Sequence, residues 1–238
     1  MTEKDEALSA LEERLEYRFQ NRDLLQHALI HPSYSNEMGE AKEASNQRLE
    51  FLGDAVLELI SSTVLYHRNP TMQEGLMTKL RAALVCEPAL AAVAKALKLS
   101  EHIVLGKGEG REGIQYRDSV LSDTLEAIIG AIYLDSGIES AASFIKKNLL
   151  NDIEKKQLQM DAKTMLQEYS TAKHLPLHYS LLEESGPFHD RFYRVMVYLG
   201  DMEYGMGEGS SKKKAEQNAA YFALEKIKAE TGDVFKIY

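Results

Sequence analysis

The chain has 238 residues, of which 44% are hydrophobic and 27% are charged, and these proportions are those of an ordinary globular protein. Its one cysteine excludes an internal disulfide, and no apolar run approaches the roughly 20 residues that span a bilayer, so we expect no membrane association. The net charge of −9 excludes a uniformly basic nucleic-acid binder, but a polyanion needs positive charge only at the contact surface.

The N-terminus is acidic and lacks the apolar segment of a secretory signal, so we expect the protein in the cytoplasm. Cys86 follows an apolar run, which favours a buried thiol over a reactive one. We expect the histidines at positions 31, 67 and 102 to be structural residues and not ligands, because no zinc-type spacing of histidine or cysteine is present.

Residues 1–150 have the hydrophobic periodicity of helices almost throughout. Apolar residues recur at helical spacing from Leu8 to Leu29, and longer helices are predicted at about 47–67, 73–85, 88–97 and 119–135, with one more to about residue 155. The glycine-rich run 105–113 is the clearest loop. The pattern predicts that this part of the chain is all-α.

The pattern changes after a polar segment at 155–161, which fits either a linker or a helix extension. A helix at about 163–173 is followed by strand-like runs at 178–183, 191–199 and 202–207, and by a final helix at 211–229. We expect that last helix to turn Phe222 towards a core. The order α-β-β-β-α predicts a small α+β domain. We place the domains at 1–156 and 162–231, with a linker at 157–161 and a C-terminal tail at 232–238.

Two pairs of carboxylates lie in the middle of predicted helices. Glu50 and Asp54 are four residues apart, and Asp123 and Glu126 are three apart, so each pair leaves one face of its helix among apolar neighbours. Each pair alone also fits a solvated acidic stripe, and helix geometry by itself does not show that the pairs meet. If they converge, their charges repel unless the carboxylates are protonated or a cation neutralises them, and clustered oxygens select Mg²⁺ or Mn²⁺.

The run from Asn46 to Leu57 resembles the signature of the ribonuclease III family, and residues 122–127 resemble the second acidic segment of that family. Further matches follow in the family's order, so that the resemblance covers nearly all of residues 10–150. It implies an all-α endonuclease domain that pairs with a second copy and cuts double-stranded RNA with Mg²⁺, for which Mn²⁺ can substitute. It also implies 5′-phosphate and 3′-hydroxyl ends with short 3′ overhangs, and ribosomal and other structured precursor RNAs as substrates.

The resemblance is carried over residue by residue. It assigns the metal to Glu50, Asp123 and Glu126, and it assigns catalysis to Asp54 and Glu126. Glu74 matches a further acidic position near the site. Gln47 stands where the family commonly has Glu, and an amide supplies no negative charge, so we expect it near the metal or the RNA without being a ligand.

Three segments across residues 161–230 resemble the double-stranded-RNA-binding domain, in its usual order. Lys212, Lys213 and Lys214 begin the last helix, whose N-terminus adds N–H groups and the positive end of a dipole, although a lysine triplet alone is usually a solvated face. The resemblance implies that these lysines grip phosphates and that Gln167, Glu168 and His189 contact the minor groove. Glu216 departs from a lysine that is common in such domains.

Two other classes of protein fit part of the sequence. A catalytically silent protein that binds double-stranded RNA is favoured by Gln47 and opposed by the four intact carboxylates. An all-α carboxylate metalloprotein does not explain the C-terminal region. Residues 108–113 satisfy G-x-G-x-x-G but lack the βαβ unit of a dinucleotide site, so no nucleotide cofactor is expected. With Lys107 and Arg111, that run is either an RNA-backbone contact or a plain loop.

Overall fold

A computed structural model describes residues 3–39, 44–68, 70–108, 113–151, 153–187 and 191–232. The chain divides into two compact units, Met1–Asp152 and Ile153–Tyr238. The first is helical, and the second combines helices with one antiparallel sheet. The predicted succession of an all-α domain and a small α+β domain is confirmed.

The helices of the first unit follow the predicted periodicity closely. They are α1 (Glu3–Leu15), α2 (Arg22–Ala28), α3 (Pro32–Met38), α4 (Gln47–Arg68), α5 (Glu74–Val85), α6 (Glu87–Ala96) and α7 (Asp118–Asn148), with 3₁₀ turns at Leu99–Glu101 and Ile114–Tyr116. The last two predicted helices form the one element α7, which is interrupted at Gly137, where φ is 79° and the backbone is not helical.

The core of this unit is built around α7. Most of its first half is buried because α2, α4 and α6 pack against it, and Leu121, Leu125 and Ile128 are fully buried. Among the described residues, α7 is also the one helix that is long and apolar enough to cross a membrane by length and composition. A helix that is apolar all round is either a core helix or a membrane span, and the packing of α7 accounts for its composition.

The second unit consists of α8 (Ile153–Lys173), β1 (Leu177–Ser185), β2 (Phe192–Leu199), β3 (Met202–Gly209) and α9 (Lys212–Thr231). The antiparallel strands lie in the order β1-β2-β3. Val195, Val197 and Leu199 are buried on one face of β2, as the alternation predicts, and they join the core formed with α8 and α9. A Cβ on Gly205 or Gly207 would overlap the backbone of α9, so these glycines allow the helix to lie close on the sheet.

Three expectations from the sequence need correction. Residues 157–161 are not a separate linker but lie inside α8, which is the helix extension that the polar segment also fitted, because Leu158 and Ala162 pack one turn apart on the core of the second unit. Phe222 is 53% exposed. The side of α9 that packs on the core carries Ala220 and Leu224, which are fully buried, and Phe222 lies at the edge of that side. Cys86 is exposed, because it lies in extended backbone at the break between α5 and α6.

Candidate metal centre and nucleic-acid interface

Two glycines allow the backbones of α4 and α7 to touch where the acidic pairs lie. A Cβ on Gly53 would overlap the backbone carbonyl oxygen of Glu126, and a Cβ on Gly130 would overlap a backbone carbonyl oxygen of α4. A larger residue would force the helices apart, since backbone atoms cannot turn aside as a flexible side chain can. Gly53 lies between Glu50 and Asp54, so this crossing sets the two acidic pairs side by side.

Three carboxylates meet at the crossing. Glu50, Asp123 and Glu126 are half-buried, and each offers an oxygen atom that lies within 4.8 Å of the other two. Ligands held about 2.1 Å from an octahedral ion lie about 3 Å apart when adjacent and about 4.2 Å apart when opposite, so small side-chain rotations reach that spacing. An all-oxygen donor set suits Mg²⁺, Mn²⁺ or Ca²⁺. The cluster is therefore compatible with a divalent metal ion.

The electrostatics of this cluster also favour the binding of a cation. Burial, and next the charges of Asp54, Asp123 and Glu50, raise the pKa of Glu126 to about 8. Burial is likewise the main cause of the raised pKa of Glu50, ahead of its acidic neighbours. For Asp123, burial and then the charge of Glu87 raise the pKa. With a pKa of about 8, Glu126 carries a proton at neutral pH and so relieves part of the repulsion, and a divalent cation at the centre of the cluster favours its ionised form instead.

Two further residues of α4 border the cluster. Asp54 is exposed, and its charge acts on both Glu50 and Glu126, so it lies beside the three-residue group with its side chain towards solvent. Gln47 is the first residue of α4 and is also exposed, three residues before Glu50. Both residues are therefore open to solvent, Asp54 beside the cluster and Gln47 one turn before Glu50.

Glu74 lies elsewhere in the unit. It accepts a hydrogen bond from the Thr78 hydroxyl (3.0 Å) and lines a cavity of about 540 Å³ together with Ser62 and Tyr66 of α4. Since a helix rises 1.5 Å per residue, these two residues lie about 18 and 24 Å from Glu50 along α4. Within one chain, Glu74 is not brought together with the acidic cluster.

Several neighbours of the cluster were not predicted as parts of the site. Glycines in the middle of helices, here Gly53 and Gly130, indicate that another part of the chain packs closely against the helix. The sequence alone does not identify that part as the partner helix. Glu87 opens α6 and offered no sequence signal of its proximity to Asp123. His31 has the structural role predicted for it, since its Nδ1 accepts a hydrogen bond from the backbone N–H of Ser33 (3.2 Å) and so caps α3. Its ring also lies near enough to Asp123 to act on its pKa.

The lysine triplet forms an exposed cationic end of α9. Lys212, Lys213 and Lys214 are all exposed. The Ser211 hydroxyl oxygen caps the helix by accepting a hydrogen bond from the backbone N–H of Lys214 (3.2 Å). The capped helix end combines three cations with the positive end of the helix dipole, and this combination suits phosphate groups.

The other predicted RNA contacts fall in different segments. Gln167 and Glu168 are both exposed on α8. His189 and Arg111 lie outside the described residues. Lys107 is exposed and lies in helical backbone with Gly108, although the sequence predicted a loop there. Its backbone N–H donates a hydrogen bond to the Glu37 carboxylate (2.5 Å), which ties this segment to α3.

Comparison with known proteins gives matches over both units. A family model described as ribonuclease-III-like matches residues 21–153, and a second, described as a double-stranded RNA binding motif, matches residues 162–227. A protein of Bacillus licheniformis named ribonuclease 3 is 44% identical over 227 residues, which cover 94% of this chain and 91% of that protein. A ribonuclease 3 of Listeria innocua is 43% identical over 220 residues, which cover 91% of this chain and 96% of the relative.

Solved structures agree with these matches. A crystal structure of the nuclease domain of ribonuclease III from Campylobacter jejuni is 43% identical to this chain with a TM-score of 0.54, and the match covers 62% of this chain and 94% of that one. A second structure of that domain, with the same identity and TM-score, covers 59% of this chain and 97% of that one. It describes structural flexibility in the region involved in dimer formation of the Campylobacter domain.

Proposed function

The chain belongs to the ribonuclease III family, and on this basis we propose that it hydrolyses double-stranded RNA with Mg²⁺ held by Glu50, Asp123 and Glu126. Family membership and the C-terminal RNA-binding motif make the protein an endoribonuclease that acts on double-stranded RNA. The observation that carries the metal proposal is the meeting of three carboxylate oxygens within 4.8 Å at the crossing of α4 and α7. Mn²⁺, with the same preference for oxygen, is expected to substitute.

Each residue of the site has a distinct part in the reaction. A divalent ion bound there would polarise a phosphoryl oxygen and lower the pKa of water. Glu50, Asp123 and Glu126 supply the anionic oxygens that hold such an ion, and Glu126 gives up the proton that it otherwise keeps to about pH 8. Asp54, which is exposed beside them, orients the attacking water in this proposal and accepts its proton. In-line attack that expels the 3′ oxygen leaves 5′-phosphate and 3′-hydroxyl ends.

A second copy of the chain is expected on the exposed face of α4. Phe51, Leu59 and Tyr66 are 80%, 60% and 68% exposed and lie along one side of the helix, spaced eight and seven residues apart. A row of three large apolar side chains on one exposed helix face favours an interface over a purely solvated surface. Pairing through it gives the dimer two acidic sites, one for each RNA strand, and a stagger between them gives short 3′ overhangs.

The second unit supplies affinity for the duplex. In the proposed complex, Gln167 and Glu168 of α8 and His189 enter minor grooves, while the lysines that begin α9 hold phosphates across the major groove between them. Ribosomal and other structured precursor RNAs in the cytoplasm are the proposed substrates. The proposed functional domains span 1–156 and 162–231, joined through the helical segment 157–161 and followed by the tail 232–238.

A cleavage assay on a long RNA duplex tests the catalytic proposal. Glu126→Gln keeps the size of the side chain and removes its charge, so cleavage should fall by at least about a thousandfold while duplex binding remains. The matched control is Glu139→Gln, the same change at an exposed position of α7 beyond the interruption at Gly137, which should cut normally. Full activity in Glu126→Gln would contradict the assignment. A wild-type chain that binds duplex but never cuts it with Mg²⁺ or Mn²⁺ would favour a silent RNA-binding protein.

A further inference from the structure

Three elements of the second unit meet at a single lysine. Lys163 of α8 donates a hydrogen bond to the carboxylate of Glu216 in α9 at 2.6 Å, and its ammonium nitrogen lies 4.9 Å from the ring centroid of Tyr179 on β1. We call these three residues the junction.

The junction lies between the segments that are proposed to contact RNA. Gln167 follows Lys163 by four residues and therefore leaves the same side of α8 one turn later. Lys212 precedes Glu216 by four residues and so leaves the same side of α9. Tyr179 stands on β1, which ends at Ser185, four positions before residue 189 in the sequence.

The carboxylate of the junction is more buried than those of the exposed ion pairs of this unit. The Glu216 side chain is 17% exposed, whereas both partners of the Arg191–Glu184 pair are more than 40% exposed. Tyr179 packs against the apolar core, and burial followed by the charge of Glu216 raises the pKa of its phenol to about 12. A second bond ties the same two helices, since the Gln217 amide donates to the backbone oxygen of Gln159 (2.9 Å). An ion pair with partners already held in place loses little conformational entropy when it forms.

Two opposite consequences follow for a carboxylate at this position. An unpaired Glu216 on the side of α9 that carries Lys212 would repel phosphate, and its removal would strengthen RNA binding. A Glu216 that holds α9 in place through Lys163 has the reverse effect, because its removal lets the lysines shift relative to α8. The distance of 2.6 Å and the low exposure of the carboxylate favour the second consequence.

We propose that Lys163 and Glu216 are positioning residues for double-stranded RNA. Their ion pair fixes the first turns of α9 against α8, so that the lysines of α9 and Gln167 meet the duplex at a set separation. The inference rests on the proposed RNA contacts of those residues. Neither Lys163 nor Glu216 needs to touch the RNA, and the pair also cancels a negative charge that would otherwise face phosphate.

Duplex binding by the full chain, measured in excess chelator so that no RNA is cut, tests the proposal. Glu216→Gln should weaken binding of a duplex of about 20 base pairs by about fivefold, although the variant is less negative than the wild type. The control Glu230→Gln makes the same charge change on the same helix, about 21 Å away, and should not weaken binding. Glu216→Gln that binds as tightly as wild type, or more tightly, overturns the proposal.

The reversed pair separates positioning from simple charge. Lys163→Glu alone should bind more weakly than Glu216→Gln, because two carboxylates then face each other in the junction. Adding Glu216→Lys restores a pair of opposite sign and should return the affinity to within about threefold of wild type. This rescue also covers the case in which one single variant fails to fold, which circular dichroism would reveal. A folded double variant no better than Lys163→Glu contradicts the proposal.

A coupling measurement distinguishes this inference from the function on which it rests. If the pair acts through the lysines, Glu216→Gln should cost little further affinity once Lys212 and Lys213 are both Ala, so the two losses are less than multiplicative. Full multiplication of the losses overturns the positioning role and leaves the lysine contacts intact. If the lysine variant itself binds normally, the proposed phosphate contacts are wrong, whatever Glu216→Gln does.

Discussion

Gly130→Ala tests whether the close crossing of α4 and α7 assembles the metal site. A Cβ at residue 130 would overlap the backbone oxygen of Leu49, and it would lie only 3.2 Å from the carbonyl carbon of Leu49 and 3.1 Å from the backbone nitrogen of Gly53. Atoms in contact prefer about 3.5 to 4.0 Å, so the helices must separate by about 1 Å. Glu126 lies one turn before Gly130, and the separation therefore moves it away from Glu50.

The two energies of this change can be compared. Overpacking a core costs about 1 to 3 kcal/mol, and replacing a mid-helix glycine by alanine returns about 1 kcal/mol of helix propensity. The net loss is up to about 2 kcal/mol, which lowers the melting temperature of a unit of this size by up to about 8 °C. Catalysis should suffer more, because a misplacement of about 1 Å can cost about a hundredfold in rate.

The assay pairs cleavage of a long duplex at several Mg²⁺ concentrations with thermal unfolding. Gly75→Ala is the matched control, since Gly75 is also helical but a Cβ there would meet nothing within 4 Å. The control should cut normally and be slightly stabilised, by up to about 1 kcal/mol. A Gly130→Ala chain that cuts and melts like wild type would refute the reasoning. Lost stability with unchanged cleavage would show that the crossing supports the fold but not the site.

Four further predictions concern the metal, the RNA contacts, the departure at position 47 and the dimer. Because the folded-state pKa of Glu126 is raised from 4.5 to about 8, the metal-free fold should lose stability as pH rises across that window. The gain in melting temperature on adding Mg²⁺ should therefore be larger at pH 9 than at pH 6, and Glu126→Gln should reduce that difference. Changing Lys212 and Lys213 to Ala should weaken duplex binding and reduce the slope of log affinity against log salt by about two, and an unchanged slope would remove them from the interface. Gln47→Ala should slow cleavage about tenfold or less at saturating Mg²⁺, and Gln47→Glu should stay active; a Gln47→Ala chain as inactive as Glu126→Gln would make the amide part of the catalytic centre. Phe51→Asp should give a monomer by sedimentation, whereas a stable dimer would place the interface elsewhere.

The prediction for position 47 rests on charge at the open side of the site. A carboxylate there would face the incoming polyanion, and for a phosphate about 8 Å away at an effective dielectric of about 20 the repulsion is about 2 kcal/mol before salt screening. The amide removes that repulsion at some cost in attraction for the metal. Gln47 is exposed and lies one turn before Glu50, which agrees with a modest increase or decrease in the cleavage rate when it is substituted.

Local sequence patterns determined most of the secondary structure. Helical periodicity located α4, α5 and α6 to within one or two residues, and alternation located the buried face of β2. Such patterns succeed because the spacing of side chains on one element fixes which of them share a face. The same rule placed Glu50 with Asp54, and Asp123 with Glu126, and the ordered motifs then indicated the family.

Tertiary packing decided what no single element contains. The two acidic pairs are about 70 residues apart in the chain, and only the glycine-lined crossing brings three of their oxygens within 4.8 Å. Packing also separated Glu74 from that cluster, left Phe222 at the margin of α9 and joined Lys163 to Glu216 across two helices. Periodicity in the sequence specifies the direction in which a side chain leaves its helix or strand. Which residue that side chain contacts depends on how closely, and at what angle, a second helix or strand packs against the first.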